Sequence, residues 1–95
     1  KKQPNLYTQL TSQYYQRYKL FIKKRNPKQA INNFINIYNV VEQHPDILRE
    51  VVDIFRKDKL LLSEKVALQG IQFVDKIKTV KISVFYHIVK SIVFN

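Results

Sequence analysis

The side chains best able to do acid–base or metal chemistry in this sequence are two histidines and seven carboxylates. His44 precedes Pro45, where a helix must end, and His87 lies on the polar side of an otherwise apolar C-terminal stretch. Neither has an Asp or Glu three or four residues away; Glu42 and Asp46, beside His44, are the nearest. A metal site needs three or four converging ligands, and these histidines lack a companion set; cysteine is absent, which excludes thiolate ligation. Two carboxylate pairs, Glu42 with Asp46 and Glu50 with Asp53, stand one helical turn apart. Such pairs do acid–base work only where burial raises one pKa, and with Arg49 and Arg56 beside them they read as solvated faces. A single glycine rules out a Walker-type loop or a dinucleotide-binding fingerprint. A non-enzymatic chain is therefore expected, with no cofactor, no metal and no small-molecule substrate.

The remaining chemistry is positive charge. The chain carries a formal net charge of +10, and no acid occurs before Glu42. Residues 1–41 hold Lys1, Lys2, Arg17, Lys19, Lys23, Lys24, Arg25 and Lys28, a charge of +8; the remainder sets nine bases against seven acids, or +2. The Lys-, Asn-, Ile-, Tyr- and Phe-rich composition fits AT-rich coding, which supplies lysines whatever the function, so the missing acids are the stronger signal. Such asymmetry points to a polyanionic partner. Arg17, Lys19, Lys23, Lys24, Arg25 and Lys28 are the expected nucleic-acid-binding residues: lysine charges, arginine forks and free helix N–H groups all suit phosphate. Tyr7, Tyr14, Tyr15 and Tyr18 have the chemistry to stack on bases, yet their helical spacing favours the core; Tyr15, at the boundary, is the one to test.

These residues must be positioned by helices. Over about residues 4–24, Leu6, Leu10, Phe21, Tyr14, Tyr7, Tyr18, Ile22 and Tyr15 occupy one half of a helix, with Pro4 suited to its first turn. Thr8, Ser12, Gln16, Lys19 and Lys23 lie opposite, with Arg17 and Lys24 at the edge of the apolar half. Arg25-Asn26-Pro27 breaks the chain, with Asn26 as N-cap and Pro27 as first helical residue. A second helix to about residue 44 puts Ala30, Ile31, Phe34, Ile37, Tyr38 and Val41 on one face and Asn32, Asn36, Asn39 and Gln43 on the other. A third, 46–57, is cleanly amphipathic. A fourth starts after Ser63 and runs a stripe through Val66, Ala67, Ile71, Phe73, Val74 and Ile77. Gly70 falls inside that stripe, where glycine costs about 1 kcal/mol in helix propensity, so a close neighbouring helix is expected there. Residues 80–95 alternate tolerably as a strand, but their length and companions favour a helix with an apolar arc of roughly 200°, wide enough for contact on two sides.

The expected fold is all-α: one domain of about five amphipathic helices in antiparallel hairpins, as a HEAT/ARM-like α-solenoid fragment or a small bundle. No stretch reaches the roughly 20 apolar residues of a membrane span; residues 80–94 come nearest but contain Lys81, His87 and Lys90. The start at Lys1 and the apolar end Ile92-Val93-Phe94 read as cuts from something longer.

Lys1, Pro4, Tyr7, Gln13, Tyr15 and Tyr18 fall in an order and spacing that resembles the N-terminus of the Severe Depolymerisation of Actin (Sda) family, which opens with a Lys-Arg-Asp-Pro-type turn, a Tyr and a Gln/Tyr-rich helix. Phe34 and His44-Pro45 are similar to the family's apolar helix ending in Tyr-Pro, and Leu62-Ser63 to its Leu-Ser/Asp-Pro helix start. Phe85-Tyr86-His87-Ile88-Val89 resembles its Leu-Tyr-Thr-His-Ile-Val segment. The anchors are short and separated by deletions, and the family's Leu-Arg-Asn-Lys stretch is represented here by Val74-Asp75-Lys76 at best. The resemblance implies the N-terminal helical region of a longer nucleolar scaffold in large-ribosomal-subunit assembly, with ribosomal RNA and assembly factors or ribosomal proteins as partners. It carries over no catalytic residue. The main alternative is a structural subunit of another large assembly, such as an organellar ribosome or a membrane-associated complex. A helix-turn-helix DNA binder ranks third, because no segment shows a base-reading face beside an acid-free phosphate face.

Overall fold

The computed structural model describes residues 5–95; Lys1, Lys2 and Pro4, to which charge, a helix start and part of the resemblance were assigned, lie outside them. The fold is all-α, a small bundle of five helices: α1 (Leu6–Lys23), α2 (Pro27–Gln43), α3 (Leu48–Arg56), α4 (Lys65–Gly70) and α5 (Lys76–Phe94). Short 3-10 turns at Pro45–Ile47, Lys59–Leu62 and Ile71–Phe73 join the later helices. α1 and α2 form a hairpin, and α2 is the centre of the bundle, with α1, α4 and α5 all against it.

Capping chemistry sets the helix starts. Asn5 accepts from the Tyr7 amide, Asn26 from the Gln29 amide and Asp75 from the Lys78 amide, at 2.8, 3.2 and 3.2 Å. The expected start at Ser63 is displaced: Leu60-Leu61-Leu62 winds into a 3-10 turn that buries Leu62, and α4 begins only at Lys65. The expected fourth helix also ends early. Val74 is extended, Asp75 caps a new helix, and Ile77 is an exposed first-turn residue of α5 instead of the end of a stripe. Phe73 is likewise exposed. A capping carboxylate outweighed the continuity of the apolar pattern. Residues 76–94 are helix, which removes the strand alternative.

Gly70 is buried where an added Cβ would meet the Pro27 carbonyl oxygen and lie 2.8 Å from Ile31 Cβ. The close helix approach is thus real, and it joins α4 to the first turn of α2.

The core centres on aromatic rings. Phe34 of α2 contacts Tyr18 of α1, Phe55 of α3, and Phe85 and Tyr86 of α5, with ring centroids 5.4–5.9 Å apart. In α1 the buried line is Thr11, Tyr15, Tyr18 and Ile22, narrower than the apolar half suggests, and Leu6 and Tyr7 stay exposed. Thr11 tolerates burial because its hydroxyl donates to the Thr8 carbonyl at 2.8 Å. On α5, Ile82, Phe85, Tyr86, Val89 and Val93 face inward, whereas Val80, Val84, Ile88 and Ile92 form an outer stripe that no described residue covers.

Two buried phenols differ in one respect. Tyr18 donates to the Leu61 carbonyl at 2.7 Å, while the buried Tyr86 hydroxyl has no partner among the described residues. Tyr18→Phe orphans that carbonyl and should cost about 1–2 kcal/mol, whereas Tyr86→Phe removes an unsatisfied group and should be neutral or slightly stabilising at pH 7. Burial, and then the charge of Glu64, pushes the Tyr86 phenol from its ordinary 10.0 up to about 12. A phenol whose folded pKa is raised gives stability that is complete below the unfolded value and lost as pH climbs toward the folded one. Thermal melts at pH 7 and pH 11 should therefore show stability falling above pH 10, and Tyr86→Phe should lose less of it. Equal losses for Tyr86→Phe and Tyr18→Phe at pH 7 would contradict this account of the two hydroxyls.

Candidate nucleic-acid interface

The turn between α1 and α2 gathers three of the expected basic residues. The Arg25 amide donates to the Ile22 carbonyl at 3.1 Å and the Asn26 amide to the Phe21 carbonyl at 3.0 Å, the paired bonds of a Schellman C-cap. The geometry puts Arg25 in the left-handed region at φ 54°, a position that glycine normally fills and that costs other residues about 1–2 kcal/mol. Lys24, Arg25 and Lys28 are all exposed around this turn. Among the described residues no carboxylate lies within ion-pair distance of any of them, or of Arg17 or Lys23. The adjoining N-terminus of α2 contributes less than its four free amides might suggest. Pro27 has no N–H and Asn26 caps Gln29, which leaves the Lys28 amide and the helix dipole for an anion.

The other three bases split around α1. Arg17 and Lys19 stand roughly 160° apart on the helix. Lys19 and Lys23 line a groove of about 550 Å³ with Gln16, Leu20, Leu61 and two acids that sequence distance had hidden, Asp58 and Glu64. Asp58 pairs with Lys19 at 3.3 Å and accepts from the Tyr15 hydroxyl at 3.4 Å. Lys19 also sits 5.8 Å from the Tyr15 ring centre. The face that is acid-free along the first forty-one residues is therefore balanced in space by the segment after α3. Lys19 is paired there, and the charges of Lys19 and Lys23 are offset by Asp58 and Glu64.

Arg17 lies on the opposite flank. It lines an open groove of about 680 Å³ with Phe21 of α1, Gln29, Asn32 and Asn36 of α2, and Lys78 of α5. No acid lines this groove. Lys24, seven residues after Arg17, and Lys28, four before Asn32, continue the two walls toward the hairpin turn, since these spacings keep residues on one helix face. Lys24, Arg25 and Lys28 thus surround the hairpin turn, with Arg17 about 10 Å back along α1, where Lys78 joins it in the groove. Sequence reasoning missed Lys78 because it belongs to a helix whose start was placed too late. The asparagines were visible as the polar face of α2, but nothing in the sequence set them opposite Arg17.

The four tyrosines of α1 are engaged within the fold, Tyr14 half-buried against the core. Tyr15 and Tyr18 are buried, and burial raises both phenol pKa values, with the Asp58 charge second for Tyr15 and the Tyr86 phenol second for Tyr18. Tyr15, expected at the boundary, is in the core because its ring packs edge-on to Phe55 at 4.9 Å. Tyr7 is exposed but stacked on His44 at 3.6 Å, which ties the start of α1 to the end of α2. His87 is exposed on α5. Asp53 pairs with Arg56 at 2.7 Å, and Glu42 accepts from the Tyr38 hydroxyl at 2.6 Å, which raises the Tyr38 pKa. Among the described residues no three His, Asp or Glu side chains could hold a metal ion together, and no helix is long and apolar enough to cross a membrane.

No family model, curated protein or solved structure matches the chain.

Proposed function

We propose that the chain is a non-enzymatic helical scaffold of pre-ribosomal particles, in large-subunit assembly, that meets ribosomal RNA through the basic end of its α1–α2 hairpin. The observation that carries this reading is the unneutralised cluster of Arg17, Lys24, Arg25 and Lys28, with an arginine held in the left-handed position at its tip. Four cations without carboxylate partners attract phosphate through charge and arginine forks, and the dipole of α2 adds to them. The resemblance of the sequence to the Sda family supports the particle and a nucleolar location. The uncovered Val80, Val84, Ile88 and Ile92 stripe suits packing against assembly factors or ribosomal proteins.

Ultraviolet crosslinking of the protein in its own cells tests this reading. Ribosomal precursor RNA should dominate the crosslinked RNA, and the crosslinked peptides should come from residues 17–28. Recovery of the protein without ribosomal RNA would contradict it. The outer stripe of α5 equally suits a structural subunit of a membrane-associated complex, and flotation with anionic vesicles in the absence of RNA binding would select that reading instead.

A further inference from the structure

We infer that the groove between α1, α2 and the start of α5 holds an unpaired stretch of RNA, three or four nucleotides long, and contacts its bases through Asn32 and Asn36. This inference rests on the RNA reading above and specifies the ligand of the same surface.

The groove differs in kind from the cationic turn beside it. Cations alone would serve any polyanion, whereas this groove has Arg17 and Lys78 flanking a row of side-chain amides. An amide carries a donor and an acceptor on one rigid group, which matches the paired donor and acceptor on a base edge, adenine above all. A phosphate offers acceptors only and gains nothing from the amide oxygen. The amides are also available. Asn33, buried, spends its NH2 on the Gln29 carbonyl at 2.9 Å. Asn32 and Asn36 make no side-chain hydrogen bond among the described residues, although Asn36 is half-buried. Both amides reach solvent and are free to exchange it for a ligand.

Spacing supports the assignment. Asn32 and Asn36 share one face about 6 Å apart along α2, close to two base steps of about 3.4 Å. The wall from Arg17 to Lys24 spans about 10 Å, or about three base steps, which sets the length at three or four nucleotides. Half-buried Phe21 supplies an apolar surface beneath the bases. A duplex would not satisfy the amides, because A-form RNA keeps the paired donor and acceptor of adenine on its major-groove edge, which is deep and narrow.

Fluorescence anisotropy with three 12-nucleotide probes tests this: a mixed-sequence single strand containing adenines, an abasic strand of equal charge, and a blunt duplex. The 95-residue chain should bind the base-bearing strand about tenfold more tightly than the abasic strand, as expected for amide contacts to base edges. Asn32→Ala with Asn36→Ala should erase that preference and leave abasic binding unchanged, and circular dichroism should be unaltered. Arg17→Ala with Lys78→Ala should weaken binding to both strands. Equal wild-type affinity for base-bearing and abasic strands would overturn the groove assignment while leaving phosphate contact intact. So would a preference that survives the asparagine double variant, or a polyglutamate peptide bound as tightly as the base-bearing strand. Failure of the wild type to bind any of the RNA probes would instead overturn the RNA reading itself.

Discussion

Phe34→Ala should remove a large share of the protein's stability. The Phe34 ring is fully buried and touches aromatic rings from α1, α3 and α5, so its removal leaves a cavity where four helices meet. Truncation of a buried Phe costs about 3–5 kcal/mol, against a total stability of about 5–15 kcal/mol for a domain. Relaxation into the cavity is limited because the neighbours are stiff rings already packed on one another, such as Tyr15 on Phe55 at 4.9 Å. Urea melts followed by circular dichroism give the value directly. A cost below about 1 kcal/mol would show that the bundle does not depend on this ring.

Phe34 was legible as a core residue from spacing alone, and so was the helical character of the whole chain, because apolar residues at a 3.6 period have no other efficient burial. The breaks at Asn26-Pro27 and His44-Pro45 were legible for local reasons, since proline and a capping side chain act on their own neighbours. Gly70 announced a close approach because nothing else justifies glycine in an apolar stripe. Asp75 was harder to see, because Val74 and Ile77 keep the apolar rhythm across it while its carboxylate starts a new helix. The candidate site was half legible. A count along the chain finds bases without acids, but charge balance is a property of space. Asp58 follows Lys19 by thirty-nine residues and returns to within 3.3 Å of it, whereas Arg17, two residues before Lys19, faces the other way and meets Lys78 and the asparagines.

That division makes the second large effect specific. A variant carrying Arg17→Glu, Lys24→Glu and Lys28→Glu, with Arg25→Gly, should lose more than about a hundredfold in affinity for single-stranded RNA at 0.1 M salt, since several phosphate contacts become repulsions. Glycine at position 25 suits the left-handed turn, so the hairpin should hold; a melting temperature near that of the wild type checks it. Lys19→Ala with Lys23→Ala should change affinity only a few-fold, because Asp58 and Glu64 already offset those charges. If the two variants weakened binding equally, the basic surface would be diffuse and the hairpin end would have no special part in it.

The central claim is that the hairpin end neutralises phosphate, and the salt dependence of RNA affinity measures that most directly. Each phosphate neutralised on a single strand contributes about −0.7 to the slope of log K against log salt, so four cations predict a slope near −3 for the wild type. The charge-reversed variant, in which Lys78 is the cation that remains in the groove, should bring the slope to within about 1 of zero. A wild-type slope that the variant leaves unchanged would place the RNA contact elsewhere on the molecule and contradict the account.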